Sequence, residues 1–189
     1  MNDNRLVWKE ESRKKVFDCR IFTIHESTCR SPDNEIKNFS IIEARDWAIT
    51  VPVISDGRSS QFVMVRQWRH GARELSLEFP GGVFEPGENP GQAAARELEE
   101  ETGYRPGKII KIGEMSPNPA IMANHVHFFL AENLTNTGKT HPDSDEYLDI
   151  ALVDCDEVIK KMGRPPYVHA LMGTALSLYL QKTNLFFNH

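Results

Sequence analysis

Residues 82–104 read GVFEPGENPGQAAARELEEETGY. Asn89 followed by Pro90 predicts the start of a helix, because Asn caps helix N-termini and Pro suits the first helical position. Gln92, three residues after the cap, is typical of a capping box. Gly103 predicts the end of the helix, since glycine readily takes the left-handed conformation that closes one.

The predicted helix carries an acidic face. Glu97, Glu100 and Glu101 are three and four residues apart, so their carboxylates share one side of the helix. Hard divalent cations such as Mg²⁺ and Mn²⁺ take oxygen ligands, which three clustered carboxylates supply. A solvated helix face is the alternative, and helix spacing alone leaves both open. The preceding Gly81 and Gly82 let the backbone turn tightly and approach a ligand or metal.

Loop and helix together form a longer pattern, Gly-x5-Glu-x7-Arg-Glu-Leu-x-Glu-Glu-x-Gly-Tyr, over residues 82–104. This pattern resembles the signature of the Nudix hydrolases at every defined position. The resemblance implies an α/β (α+β) fold, in which a mixed β-sheet is sandwiched between helices and a small N-terminal β subdomain precedes it. It also implies divalent-metal-dependent hydrolysis of a diphosphate linkage.

The resemblance assigns roles to individual residues. It implies that Mg²⁺ (or Mn²⁺) is held by the Gly81 carbonyl and by the carboxylates of Glu97, Glu100 and Glu101, with Glu100 also in the catalytic set. Arg96 is expected to act in catalysis by orienting a carboxylate through paired hydrogen bonds. Three further positions are expected to shape the loop and helix, namely Gly82, Glu88 and Gly103.

The flanking segments VRQWRH (65–70) and RELSLEFPGG (73–82) resemble the ADP-ribose pyrophosphatase branch of the family. That likeness implies that Arg69 contacts the diphosphate, with Arg66 as a second candidate. It also places Glu78 beside the site, as a substrate-binding or metal-adjacent residue. Pro119 stands where the branch carries a proline near its substrate.

After this proline the chain departs from the branch, with Ala120 and Asn124 in place of Gly and Glu. ADP-ribose, cleaved to AMP and ribose 5-phosphate, is therefore the first of several substrates to consider. The alternatives are a GDP-mannose-type nucleotide-sugar pyrophosphatase or a broad-specificity Nudix hydrolase. A non-catalytic domain that senses a nucleotide is a third possibility, from another functional class.

A late acidic loop spans residues 143–147. In the family a glutamate from a comparable loop acts as general base or metal ligand, and Glu146 best fits that position, followed by Asp145. An acidic surface turn is the alternative for the same residues.

Composition excludes several classes of function. The 189 residues carry 27 acidic and 22 basic side chains, a formal net charge of −5, so no basic excess favours nucleic-acid binding. The first fifteen residues have no apolar signal region, and no apolar run approaches a membrane span. Three widely spaced cysteines favour a reducing, cytoplasmic compartment.

Domain organisation follows from the resemblance. Residues 1–46 resemble the small extra domain with which the branch forms intertwined homodimers and completes the substrate pocket, and residues 47–189 form the Nudix domain. The expected partners are a small-molecule nucleoside diphosphate derivative and a second copy of the chain, without nucleic acid or membrane.

Residue patterns predict further strands at 15–24, 39–44, 47–54, 61–67, 75–79, 126–131 and 148–153, and further helices at 156–162 and 167–182.

Overall fold

The computed structural model describes residues 5–57, 59–141 and 147–184. They form two compact units. The smaller unit combines the chain up to Asp46 with the later segment Ser116–His125, so it is built from two separate stretches. The larger unit holds Trp47–Met115 and the chain from Val126 onward.

The smaller unit contains an antiparallel sheet of three strands in the order β1-β2-β3, namely β1 (Lys9–Asp18), β2 (Phe22–Arg30) and β3 (Ile36–Ala44). The prediction of one strand over residues 15–24 is wrong, because the chain reverses between β1 and β2. The Cys19 N–H donates to the Phe22 carbonyl at 3.1 Å across this reversal. Strand-forming residues continue on both sides of the turn without glycine or proline, so the pattern hides it.

The larger unit contains a mixed sheet, whose strands in chain order are β4 (Trp47–Ser55), β5 (Ser60–Arg69), β6 (Glu74–Glu78), β7 (Gly81–Val83), β8 (Tyr104–Met115), β9 (Val126–Asn136) and β10 (Leu148–Asp154). Its order is β10-β5-β4-β9-β8, with β6 paired to β5 and β7 paired to β4. The pairing of β4 with β9 is parallel, and Trp47 lies opposite Val126.

Helices cover both faces of this sheet, and they are α1 (Pro90–Thr102), α2 (Cys155–Lys161) and α3 (Ala170–Lys182). Successive residues of β4 point to opposite faces. Ala48 packs in a cluster with Ala93 and Ala94 of α1, whereas Ile49 and Val51 belong to the larger core that includes residues of α2 and α3. The predicted mixed sheet between helices is therefore confirmed.

Helix α3 begins three residues later than the pattern predicts, at Ala170 rather than Tyr167. The Tyr167 N–H donates to the Arg164 carbonyl in a turn, and His169 is extended at the N-cap position. Strand β8 was not predicted from the sequence. Among the helices of residues 5–57, 59–141 and 147–184, none combines the length and apolar character needed to cross a membrane.

Candidate active site

Local signals position the acidic helix as predicted. The Asn89 side chain accepts a hydrogen bond from the Gly91 N–H at 2.9 Å, and Pro90 occupies the first turn. At the other end Gly103 has a φ of 70° and donates its N–H to the Glu99 carbonyl at 2.8 Å. These two caps fix where α1 begins and ends, and so which side chains face the glycine-rich loop.

Arg96 joins three carboxylates of the signature. Its Nε and Nη2 donate to the two oxygens of Glu88 at 2.9 and 3.0 Å, a paired geometry that fixes the guanidinium plane. Its Nη1 donates to Glu97 and to Glu100, each at 2.8 Å. The hydrogen bonds with Glu88 raise the pKa of Arg96 and lower the pKa of Glu88. The paired partner is Glu88, so this glutamate positions Arg96, and it also accepts a hydrogen bond from the Glu85 N–H at 2.9 Å within the loop.

The glycine-rich loop packs directly on α1. Glu101 is 4% exposed, and its carboxylate accepts a hydrogen bond from the Gly81 N–H at 3.0 Å. A Cβ at Gly82 would lie 2.5 Å from the carboxyl carbon of Glu97, and one at Gly81 would collide with the Ala48 carbonyl. Glycine at position 81 therefore lets the loop lie against the backbone of β4, and glycine at position 82 leaves the Glu97 carboxylate where it lies.

The three carboxylates expected to bind the metal are each engaged by a protein group, since Arg96 donates to Glu97 and Glu100 and the Gly81 N–H donates to Glu101. Among residues 5–57, 59–141 and 147–184, no set of three or more His, Cys, Asp or Glu side chains is arranged as a metal site. The donor set nevertheless fits a hard divalent cation, because it consists of carboxylates. In addition, Glu97 and Glu100 already bracket a positive group, the Arg96 guanidinium.

A cleft of about 600 Å³ opens beside the loop, within the larger unit. Gly81 and Gly82 form part of its wall, so it adjoins the acidic face of α1. Trp47 and Trp68 contribute aromatic surface to it. Its volume lies in the range that encloses a small-molecule ligand.

A charged cluster lines the same cleft. Glu78 is fully buried, and its carboxylate accepts paired hydrogen bonds from Arg69 at 2.9 and 2.6 Å. The Nδ1 atom of His169 lies 3.2 Å from the same carboxylate. Burial alone would raise the pKa of Glu78, but the hydrogen bonds from Arg69, followed by the nearby His169, outweigh it and lower that pKa to about 2. Glu78 therefore holds Arg69 in a fixed orientation.

The remaining predicted residues are not brought into this cluster. Arg66 is exposed on β5 and is not among the described residues that line the cleft. Pro119 is exposed in the smaller unit. Glu146 and Asp145 lie outside the described residues. Sequence patterns did not point to His169, because it lies next to α3 and far from the signature along the chain.

The comparisons with known proteins agree with this geometry. The NUDIX domain matches residues 44–171. The chain is 29% identical over 174 residues to an ADP-ribose pyrophosphatase of Bacillus subtilis (strain 168), covering 92% of each protein. It is 47% identical over 128 residues to an ADP-sugar pyrophosphatase of Mus musculus, covering 64% of this chain and 58% of that protein.

Fold comparison points the same way. A crystal structure of ADP compounds hydrolase superimposes with a TM-score of 0.81 at 20% identity, covering 93% of this chain and 95% of the other. At that identity the likeness shows the shared fold, while the domain match spans most of the chain and includes the complete signature. The chain therefore belongs to the NUDIX domain family and is a Nudix hydrolase.

Proposed function

We propose that this Nudix hydrolase cleaves the diphosphate linkage of a nucleoside diphosphate joined to another moiety, with ADP-ribose as the first candidate and AMP and ribose 5-phosphate as products. The observation that carries the proposal is the position of the cleft. The glycine loop forms one wall of the cleft and also packs on the signature glutamates of α1. The names of the two pyrophosphatase relatives support the same substrate class.

The proposal includes a divalent cation, Mg²⁺ or Mn²⁺, held by the carboxylates of Glu97, Glu100 and Glu101 with the Gly81 carbonyl. Such a cation, when bound, neutralises charge on phosphate oxygens and makes a bound water more acidic. Arg96 supports this site by holding Glu97 and Glu100 toward each other, while Glu88 fixes the guanidinium. The positive charge of Arg96 also offsets part of the repulsion among these carboxylates.

Arg69 is the proposed contact to the substrate diphosphate. Its side chain is 41% exposed in the cleft wall, and Glu78 holds its guanidinium plane from the buried side. Arg66 and Pro119 are further substrate-binding candidates. Glu146 is the proposed general base, alongside Glu100 in the catalytic set.

We also propose a homodimer in the cytoplasm. The smaller unit presents β1 with every residue exposed, including Val16 and Phe17 at 54% and 52%. Exposed apolar side chains on an edge strand favour burial against another chain. Residues 1–46 are therefore the proposed dimerisation domain. The free thiols of Cys19, Cys29 and Cys155 are in keeping with a reducing compartment.

A substrate panel tests the proposed activity. ADP-ribose, GDP-mannose, a dinucleotide and a nucleoside triphosphate are each incubated with the full chain and Mg²⁺, and products are separated by anion-exchange chromatography. We expect AMP and ribose 5-phosphate from ADP-ribose at the highest kcat/KM. A higher kcat/KM for GDP-mannose would favour the second candidate, which is kept because Ala120 and Asn124 depart from the ADP-ribose pyrophosphatase branch. Tight binding of one compound without turnover of any would indicate a nucleotide sensor and overturn the proposal.

A further inference from the structure

His169 lines the cleft immediately before α3, and the two edges of its ring have different surroundings. The Nδ1 atom is buried and lies 3.2 Å from the Glu78 carboxylate. The side chain as a whole is 35% exposed, so the exposed part is the opposite edge of the ring, which carries Nε2. Within the part of the chain that the structure describes, Nε2 has no hydrogen-bond partner. This nitrogen is therefore accessible to a molecule that enters the cleft.

Arg69 and His169 are held by the same carboxylate oxygen. The Nη2 atom of Arg69 lies 2.6 Å from Oε2 of Glu78, and this is the oxygen that faces His169 Nδ1. Glu78 is fully buried, whereas the Arg69 side chain is 41% exposed in the cleft wall. The guanidinium and the imidazole therefore lie side by side, anchored from behind and exposed toward the cleft.

The charges around His169 are compatible with an anion in front of Nε2. Glu78 is the carboxylate that faces the ring, and Arg69 already balances its charge. The other described carboxylate of the cleft wall, Glu74, lies at the opposite end of β6, roughly 13 Å away along an extended strand. His70 is the remaining ionisable residue among the described ones that line the cleft. The carboxylate nearest to His169 is thus already paired.

The first turn of α3 adds partial positive charge at the same place. His169 is the N-cap residue of this helix of 13 residues, and Leu171 and Met172 of its first turn also line the cleft. That turn contains no acidic residue. Helix N-termini attract anions, because their N–H groups point outward and the helix dipole is positive there. A guanidinium, an imidazole edge and a helix N-terminus therefore meet at one wall, which fits a phosphate group better than a neutral ligand.

We propose that His169 donates a hydrogen bond from Nε2 to a phosphate oxygen of the substrate, beside the contact from Arg69. The inference rests on the proposed function, to which it adds a residue that binds the diphosphate. The ring binds in its doubly protonated form, with Nδ1–H toward Glu78 and Nε2–H toward the phosphate. Negative charge on both sides stabilises this form, so the ring takes up a proton from solvent when the substrate binds.

His169→Asn separates the two edges of the ring. The Asn amide can donate to Glu78 from near the position of Nδ1, but it places no group where Nε2 lies. KM and kcat for ADP-ribose hydrolysis with Mg²⁺ are measured between about pH 5.5 and 8, where histidine side chains change charge. We expect His169→Asn to raise KM about 10–100-fold at the acidic end, the effect of a lost hydrogen bond between charged groups, with kcat little changed. The wild-type KM should rise with pH, whereas the KM of the variant should not.

His141→Asn is the matched control, since His141 is exposed and does not line the cleft. It should show the wild-type KM at every pH. An unchanged KM in His169→Asn would limit His169 to a contact with Glu78 and overturn the inference. A KM that still rises with pH in His169→Asn as it does in wild type would overturn it too.

Calorimetry of the wild-type chain tests the same contact without a substitution. ADP-ribose is titrated in EDTA, so that no turnover occurs, at about pH 7.5 in buffers of different ionisation enthalpy. We expect net proton uptake on binding, and binding without uptake would overturn the inference. Binding with uptake but no hydrolysis in Mg²⁺ would overturn the proposed function and support the role of His169. Absence of both binding and hydrolysis would overturn both.

Discussion

Arg96 shows what residue patterns along one helix can and cannot predict. Its contact with Glu100 follows from the i, i+4 spacing on α1, which the sequence displays directly. Its paired hydrogen bonds with Glu88 depend on how the loop before Asn89 folds back onto the helix. Helix periodicity does not describe that loop, so the sequence predicted a carboxylate partner for Arg96 without identifying Glu88.

Replacing Arg96 by Lys tests its positioning role. Lysine keeps the charge but cannot form the paired contact with Glu88, so Glu97 and Glu100 lose their fixed support. We expect kcat for the preferred substrate to fall about 10–100-fold, because small misplacements of catalytic groups are costly. Arg105→Lys is the control, since Arg105 forms the same paired contact with Glu99. Equal effects of the two substitutions would contradict the assignment.

Glu78 gives a pH prediction. The folded protein lowers its pKa from 4.5 to about 2, so its ionic contacts stabilise the fold above pH 4.5, and this stabilisation is lost as the pH falls toward 2. Glu78→Gln should lower the free energy of unfolding at pH 7 by on the order of 3 kcal/mol. The difference from wild type should shrink on acidification through that window.

Urea denaturation at several pH values measures this difference. Glu74→Gln serves as the comparison, because Glu74 is an exposed glutamate on the same strand. If the destabilisation by Glu78→Gln did not change between neutral and acidic pH, the buried ionic contact of Glu78 would not be its source.

At the scale of elements, the helix and strands that carry strong local sequence signals were predicted well. Asn89, Pro90 and Gly103 set the limits of α1, and β4 and β5 lie where strands are predicted at 47–54 and 61–67. Strand β8 was missed because Pro106 and Gly107 read as turn residues. Since β8 is the last strand in the sheet order, proline is tolerated there. The parallel pairing of β4 with β9 joins segments far apart in sequence, which local patterns do not reveal.

Gly82→Ala tests the close packing of strand β7 on α1. The added Cβ would meet the Glu97 carboxylate, the flexible end of a side chain, so we expect the fold to persist while that carboxylate moves. Activity should drop about 10–100-fold with a small change in Tm. Gly91→Ala on α1 is the control. A Cβ at Gly91 would meet no atom closer than 3.4 Å, so this variant should keep full activity. Full activity of Gly82→Ala would show that the Glu97 position is not critical.

At the scale of the molecule, the cleft is assembled by long-range pairing. Arg69 ends β5, Glu78 ends β6 and His169 precedes α3, and they meet only because β5 pairs with β6 and α3 packs against this side of the sheet. The sequence indicated Arg69 and Glu78 separately through the family resemblance. It did not indicate their mutual contact or His169, because no fixed spacing relates the three.

Sedimentation velocity tests the proposed homodimer. At micromolar concentration we expect the full chain to sediment as a dimer, because Phe17 and its exposed neighbours on β1 would then be covered. Phe17→Lys should shift the distribution toward monomer, while Ile150→Lys, another exposed strand position at 45%, should not. A monomer for the wild-type chain would contradict the proposal.

The central claim is that the acidic face of α1 performs metal-dependent hydrolysis, and neighbouring glutamates test it most directly. ADP-ribose hydrolysis with Mg²⁺ is measured for Glu100→Gln and for Glu99→Gln, whose glutamate pairs with Arg105 instead of Arg96. We predict near wild-type activity for Glu99→Gln and a loss of roughly 100-fold or more for Glu100→Gln, as is typical when a group that stabilises transition-state charge is removed. Full activity of Glu100→Gln would contradict the account.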